Sequence, residues 1–346
     1  MERTPKKKSG KDSYVRVAII AGLVALALGI TAIVSIPSLH ERNDNTDSGS
    51  AIVAQGDDSL MGESDDGIIT YEGNKYIYNS HLSNYLFLGI DTEGDIMQER
   101  ETLFAGQSDT IILVAYDRKE ETARVLSIPR DTMTEISVYN HRGEYVGPTK
   151  DHLTLQYAYG DGREKSCTIT RDAVSNLLYG VPIIGYASIN LDSIPLLVDA
   201  VGGVTLVVPD DSMEEVNPEY RKGEEITLTS ETAERYLRYR DTHSHQQALV
   251  RMERQKSFVN AFVDRVIELQ KQDPHTVTGL YETLKPQMVT NMSNDIFLDL
   301  IGARRMGEIV TIPGEGVATE LFDEYHVDEK ALYELILDVF YVEVTQ

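Results

Sequence analysis

Carboxylates and guanidinium groups stand at the ends of apolar runs in this chain, where packing alone gives them nothing. Asp91 closes YLFLGID, Asp109 opens SDTIILVAYD, and Arg130 and Asp131 close TARVLSIPRD. Four more arginines, Arg238, Arg240, Arg251 and Arg254, fall within seventeen residues and run directly into Gln255. Arginine offers a planar fork of donors that matches phosphate oxygens, and it stays charged when partly desolvated. Aspartate oxygens suit Mg2+, which commonly bridges to substrate phosphates. Arginines with an acidic, magnesium-binding pair (Asp91 and Asp109) make a set for phosphoryl chemistry, where positioning and charge neutralisation do most of the work. The chain has no GxxxxGK[ST] loop and no glycine-rich dinucleotide turn, so nucleotide use is unsupported. Ser127 lacks the context of a nucleophile elbow. His243 and His245 read as solvent-exposed rather than as metal ligands, and Glu214, Glu215 and residues 323–329 as solvated surface.

These side chains need elements to hold them. The three runs between Tyr85 and Asp131 have strand length and are mostly apolar, as expected of strands buried on both faces. Residues 110–117 and 122–128 lie only four polar residues apart, which requires an antiparallel hairpin. Further along, 168–179 reads as a helix stopped by Gly180, and 185–210 as strand, helix, Gly-Gly turn and strand. Residues 211–228 read as a polar excursion, and a small hairpin is expected around Glu72-Gly73-Asn74. The alternation predicts an α/β domain with helices on both faces of a mixed sheet. From Ala248 to Gln270 an apolar stripe runs through Phe258, Phe262, Val266 and Leu269. Continued backwards it reaches Gln255 and Arg251, either snorkelling from the core edge or facing a cavity beside it; the cluster of arginines favours the cavity. Arg238 and Arg240 are two apart, so they can share one anion only if their helix ends near Tyr239.

The net charge of −24 argues against nucleic acid as a partner. It is unevenly spread: residues 1–16 carry six basic against two acidic residues, leaving −28 for the rest. Residues 17–36 are uncharged and almost wholly apolar, about the 30 Å length of a membrane-spanning helix. Weak cleavage sites favour an uncleaved signal anchor over a signal peptide. The basic head then places the amino terminus in the cytoplasm and the body outside the cell membrane. The expected organisation is a basic segment (1–16), a transmembrane anchor (17–36), a flexible extracellular linker (37–80) and a catalytic domain (81–346). A single cysteine, Cys167, rules out an internal disulfide framework.

In order along the chain stand LGID (88–91), SDTIILV (108–114), SIPRD (127–131), a QYAYGDG stretch reached from Lys150, LLVDAVGGV (196–204), YLRYR (236–240) and RMERQ (251–255). With the basic head and single anchor, this series resembles the LytR-CpsA-Psr family of cell-envelope enzymes over residues 84–272. The resemblance implies an α/β/α sandwich with a lipid-accommodating pocket. It also implies a Mg2+-assisted phosphotransferase that moves a glycopolymer, teichoic-acid-like or capsular, from a polyprenyl pyrophosphate carrier to peptidoglycan beside the lipid bilayer. On the matching positions, Asp91 and Asp109 are the metal-associated residues. Arg130, Arg238, Arg240 and Arg251 bind the pyrophosphate, with Asp131, Arg254 and Gln255 beside it.

The series departs from the family at three places. Thr92-Glu93 stands where an arginine often follows the LGxD aspartate, Gln107 replaces an arginine before SDT, and Ala248 replaces an aspartate three residues before the first arginine of RxxRQ. A base for the acceptor must then come from elsewhere, with Asp241 and His245 as the candidates. The same departures motivate two other readings: a non-catalytic polyprenyl-lipid-binding regulator of the envelope, and a pyrophosphate hydrolase acting on the same lipid.

Overall fold

A computed structural model describes residues 67–239, 247–303, 305–319 and 323–344. The strands are β1 (Ile68–Tyr71), β2 (Asn74–Tyr78), β3 (Leu82–Ile90), β4 (Ser108–Asp117), β5 (Thr122–Ile128), β6 (Met133–Tyr139), β7 (Tyr145–His152), β8 (Gly185–Asn190), β9 (Val204–Val207), β10 (Glu225–Leu228), β11 (Val289–Thr290), β12 (Arg305–Thr311), β13 (Gly314–Ala318), β14 (Asp323–Val327) and β15 (Tyr341–Glu343). The helices are α1 (Glu164–Leu177), α2 (Ser193–Ala200), α3 (Ser230–Arg238), α4 (Gln247–Gln272), α5 (Thr276–Leu284), α6 (Asn294–Gly302) and α7 (Glu329–Phe340). The proposed anchor over 17–36 lies outside the described residues, and no helix among those described is long and apolar enough to cross a membrane.

Six strands form the central sheet in the order β11-β8-β3-β4-β5-β12. β3 is parallel to β8 and β5 to β12, whereas β4 runs antiparallel to both β3 and β5. The sheet is therefore mixed, with the expected β4–β5 hairpin. Strand alternation divides the core in two. Tyr85, Phe87, Ile112 and Val114 face a layer built from α2, α4, α5 and α6. Leu86, Leu88, Ile111 and Leu113 face the opposite layer, built mainly from α1 and α7. Each such side chain contributes about 1.5–3 kcal/mol when fully buried, and covering both faces explains why Tyr85 to Leu88 and Ile111 to Val114 are apolar without a break. Cys167 is free and buried in the second layer.

Several boundaries differ from the sequence expectation for local reasons. The β1–β2 hairpin forms around Glu72-Gly73, but β2 also pairs with β15, so the folded body begins at Ile68, inside the stretch assigned to the linker. Helix α1 starts at Glu164 rather than 168 because Asp161 Oδ1 accepts from the amides of Arg163, Lys165 and Ser166. The polar excursion ends earlier than expected: residues 225–228 alternate exposed and buried and pair with β9. Arg305 opens edge strand β12.

The turn before α1 also fixes the site from below, since Arg100 N donates to Asp161 O and Leu103 N to Ala158 O. A Cβ on Gly160 would stand 2.4 Å from both the amide nitrogen and Cα of Ser166, backbone atoms that cannot swing aside. Gly160→Ala is expected to cost about 3 kcal/mol, read as a fall in Tm of roughly 6–12 °C in a thermal melt. A fall under about 2 °C would show that the helix start yields.

Candidate active site

β3, β5, β8 and β12 all point the same way, so their carboxyl ends share one edge of the sheet, and β4 begins there. Ligands of open α/β sheets bind outside that edge. Asp91 directly follows β3, Asp109 is the second residue of β4, Arg130 lies two residues past β5, and Asp192 two past β8. The topology thus gathers charges that are far apart in the chain.

Asp109 is aimed by a defect in the ladder. Gly89 pairs with Thr110 and Ile90 with Ser108, leaving Asp109 as the extra residue of a β-bulge, a device that redirects a side chain. Its carboxylate meets Arg130 Nη1 in an ion pair, while Arg130 Nε donates to Asp131 Oδ1 at 3.1 Å. Behind Arg130 the chain is clamped, because Thr132 Oγ1 donates to Pro129 O at 2.6 Å and Thr154 N to Arg130 O at 3.0 Å. Burial favours loss of the guanidinium proton, but Asp109, then Asp131 and Asp91, outweigh it and hold the Arg130 pKa above its ordinary value. With 37% of its side chain exposed, Arg130 is a permanent cation within reach of a ligand.

Asp91 is fixed from across the 92–106 loop. Its amide donates to Gln107 O at 3.1 Å, and its Oδ1 accepts from Gln107 N at 2.6 Å. The loop is pinned to the strand ends by Asn190 Nδ2 to Gly94 O (2.7 Å) and by Gly94 N to Asp192 Oδ2 (3.0 Å). Gly106, at φ +85°, lies against Asp91 and Thr92 so closely that a Cβ there would stand 2.2 Å from Thr92 Cγ2.

The other half of the site comes from α3, which opens with a capping box between Thr229 and Thr232 and ends at Arg238 with Tyr239 in an extended conformation. The helix therefore stops where the Arg238–Arg240 spacing requires. Arg238 Nη1 contacts Glu93 and also Glu234 Oε1, the latter at 2.9 Å, and the Glu93 bond is the chief cause of its raised pKa. Arg238 and Glu93 are 45% and 60% exposed, so their pairing contributes little stability and an incoming anion can displace the carboxylate. Arg240 lies outside the described residues, as do Asp241 and His245. Arg251 and Ala248 fall within the span of α4, and their side chains are not among those described.

Two residues stand differently from their expected place beside an anion. Arg254 is completely buried, its guanidinium donating to Tyr239 O. Gln255 is 9% exposed and donates from Nε2 to Leu237 O at 3.4 Å. Sequence reasoning also missed Glu93 and Glu234 as partners of Arg238. The i,i+4 spacing of Glu234 and Arg238 was a usable signal; the partnership with Glu93, 145 positions away in the chain, had none.

A model of the LytR_cpsA_psr family matches residues 61–336. Among curated proteins, the polyisoprenyl-teichoic acid–peptidoglycan teichoic acid transferase TagU of Halalkalibacterium halodurans is 31% identical over 233 residues, 67% of this chain and 69% of that protein. The transferase of the same description from Bacillus subtilis, TagT, is 26% identical over 270 residues, 76% of this chain and 74% of that protein. Among solved structures, protein gbs0355 from Streptococcus agalactiae superposes with a TM-score of 0.53 at 22% identity, covering 76% of this chain and 90% of that one. That likeness supports the fold.

Proposed function

Because the chain belongs to the LytR-CpsA-Psr family, we propose that it is a membrane-anchored phosphotransferase of cell wall biogenesis, its catalytic domain outside the cell. It moves a teichoic-acid-like or capsular glycopolymer from a polyprenyl pyrophosphate carrier to peptidoglycan. The observation that carries this reading is the gathering of Asp91, Asp109 and Arg130 at one sheet edge, with Arg238 reaching the same loop through Glu93. A hydroxyl of the acceptor sugar, losing its proton to a base for which Asp241 and His245 are the candidates, attacks the phosphorus nearest the glycopolymer. The new O–P bond forms as the bridging P–O bond breaks, and polyprenyl phosphate leaves. Arg130 and Arg238, with Arg240 and Arg251, balance the charge on the diphosphate and fix it for in-line attack.

The residues present fit Mg2+. No group of three or more His, Cys, Asp or Glu gathers as a metal cage among the described residues, whereas Mg2+ in phosphoryl sites takes one or two carboxylates and fills its shell with substrate oxygens and water. Asp91 and Asp109 would hold it, and the ion would supply charge neutralisation on the phosphates. The ion pair with Arg130 holds the Asp109 carboxylate at the sheet edge.

Incubating the purified full-length chain with a polyprenyl-pyrophosphate glycan, Mg2+ and glycan strands tests the reading. Polymer linked to the strands supports transfer. Free phosphorylated glycan would replace it with hydrolysis, and binding without turnover with a regulatory role. Glu93→Gln offers a finer test, because Glu93 competes with phosphate for Arg238. Donor affinity is expected to tighten about two- to fivefold, the scale of an exposed ion pair, in a titration with a polyprenyl diphosphate. Weakened binding would mean that Glu93 organises the site instead of competing for it.

A further inference from the structure

Behind the arginine edge lies a polar cluster centred on the buried side chains of Arg254 and Tyr236. The Arg254 guanidinium sits 5.7 Å from the ring centroids of both Tyr236 and Tyr239, and its Nη2 donates to Tyr239 O. Its Nε and Nη1 have no hydrogen-bond partner among the described residues, nor do the Tyr236 hydroxyl and Asp210 Oδ2 near it. Burying an ion costs several kcal/mol even after relaxation. Burial indeed pushes the Arg254 pKa down, with Asp210 opposing it first and the two tyrosines after. A charge kept at that cost, with one described hydrogen bond, owes its place to what that bond does.

The bond caps a helix. The last carbonyls of α3 have no partners within the helix, and a cation near that end is favoured by the helix dipole. Arg254 takes Tyr239 O and its neighbour Gln255 takes Leu237 O, so two consecutive side chains of α4 hold the two carbonyls that bracket Arg238. Because Tyr239 is already extended, these bonds set the direction in which the chain leaves α3 and the face on which Arg238 emerges.

We propose that Arg254 is a positioning residue that grips the Tyr239 carbonyl from inside the fold, orienting Arg238, and touches no substrate. The substrate part of this inference rests on the function proposed above; the clamp itself does not. Two measurements on the full-length chain in detergent test it. In substrate-free protein, Arg254→Met is expected to speed hydrogen exchange of peptides containing Leu237–Tyr239 at least about tenfold (one intramolecular hydrogen bond with a charged donor), with the central strands unchanged. In steady-state transfer the same change is expected to raise donor KM more than it lowers kcat, and in an Arg238→Ala background its effect on KM is expected to shrink to under about twofold, since coupled residues are not additive. Unchanged exchange in the substrate-free protein would overturn the clamp. A KM effect that persists undiminished without Arg238 would point to direct substrate contact and overturn it as well. Should Arg254→Met fail to fold, Arg254→Lys keeps the charge but loses the planar fork. A smaller rise in exchange confined to the same peptides supports the clamp, and none refutes it. The exchange measurement uses no donor, so a chain that transfers nothing would still report on the clamp.

Discussion

Arg130→Ala is expected to lower kcat/KM for polymer transfer by about two to three orders of magnitude, the usual loss when a group aimed at developing transition-state charge is removed. Arg130 is the cation that joins β4 to the turn after β5, meeting Asp109 on one side and Asp131 on the other. Without it, Asp109 and Asp131 face the position of the diphosphate with no ion-pair partner, so this half of the site stops attracting an anion and leaves the charge to the arginines across the edge. Folding is expected to survive, because Arg130 and both partners are partly exposed and such pairs contribute about 1 kcal/mol or less. Arg130→Lys keeps a charge but cannot span two carboxylates with a planar fork, and should fall between wild type and alanine. Steady-state rates with donor varied, beside thermal melts of each variant, decide the matter. An alanine variant that melts like wild type and turns over at the wild-type rate would remove Arg130 from the site.

What the sequence disclosed follows from what sequence patterns encode. Strands buried on both faces must be apolar along their length, so Tyr85–Ile90, Ile111–Tyr116 and Ala123–Ile128 were legible, and charges at their ends stood out against them. That these ends meet at one edge needed only the short β4–β5 connection and one parallel crossover to β8. The aim of each side chain was not legible. Asp109 points to Arg130 because of a bulge, and nothing in SDTIILV marks a slipped register. Glu93 reaches Arg238 only after the 92–106 loop folds back to Gln107. The α4 stripe was read correctly through Phe258 and Phe262, yet one step back at four-residue spacing is Arg254, as buried as either. Arginine on an apolar stripe reads as a residue that snorkels; here the unpaired carbonyl at the end of another helix keeps it inside, a need that belongs to tertiary structure.

The same loop supplies the second large effect. Gly106→Ala is expected to lower kcat/KM about a hundredfold and to cost 2–4 kcal/mol of stability, roughly, from two additive sources. Gly106 has φ +85°, a conformation that costs an alanine about 1–2 kcal/mol. The new methyl would also stand 2.2 Å from Thr92 Cγ2, 3.0 Å from Asp91 Oδ1 and 3.0 Å from Ile90 Cγ2. Thr92 cannot retreat without loosening its carbonyl from Leu191 N, and Asp91 cannot without loosening its two bonds to Gln107. Whichever gives way, the Asp91 carboxylate shifts on the scale of an ångström, enough to cost about two orders of magnitude when reacting groups depend on alignment. The stability and activity losses can be separated. Thr92→Ser removes the methyl that the Gly106→Ala side chain strikes, so the double variant should recover activity while keeping the backbone strain and much of the loss in Tm. Full activity in the single variant would place Asp91 outside the reacting geometry, and no recovery in the double variant would assign the damage to the backbone of the loop.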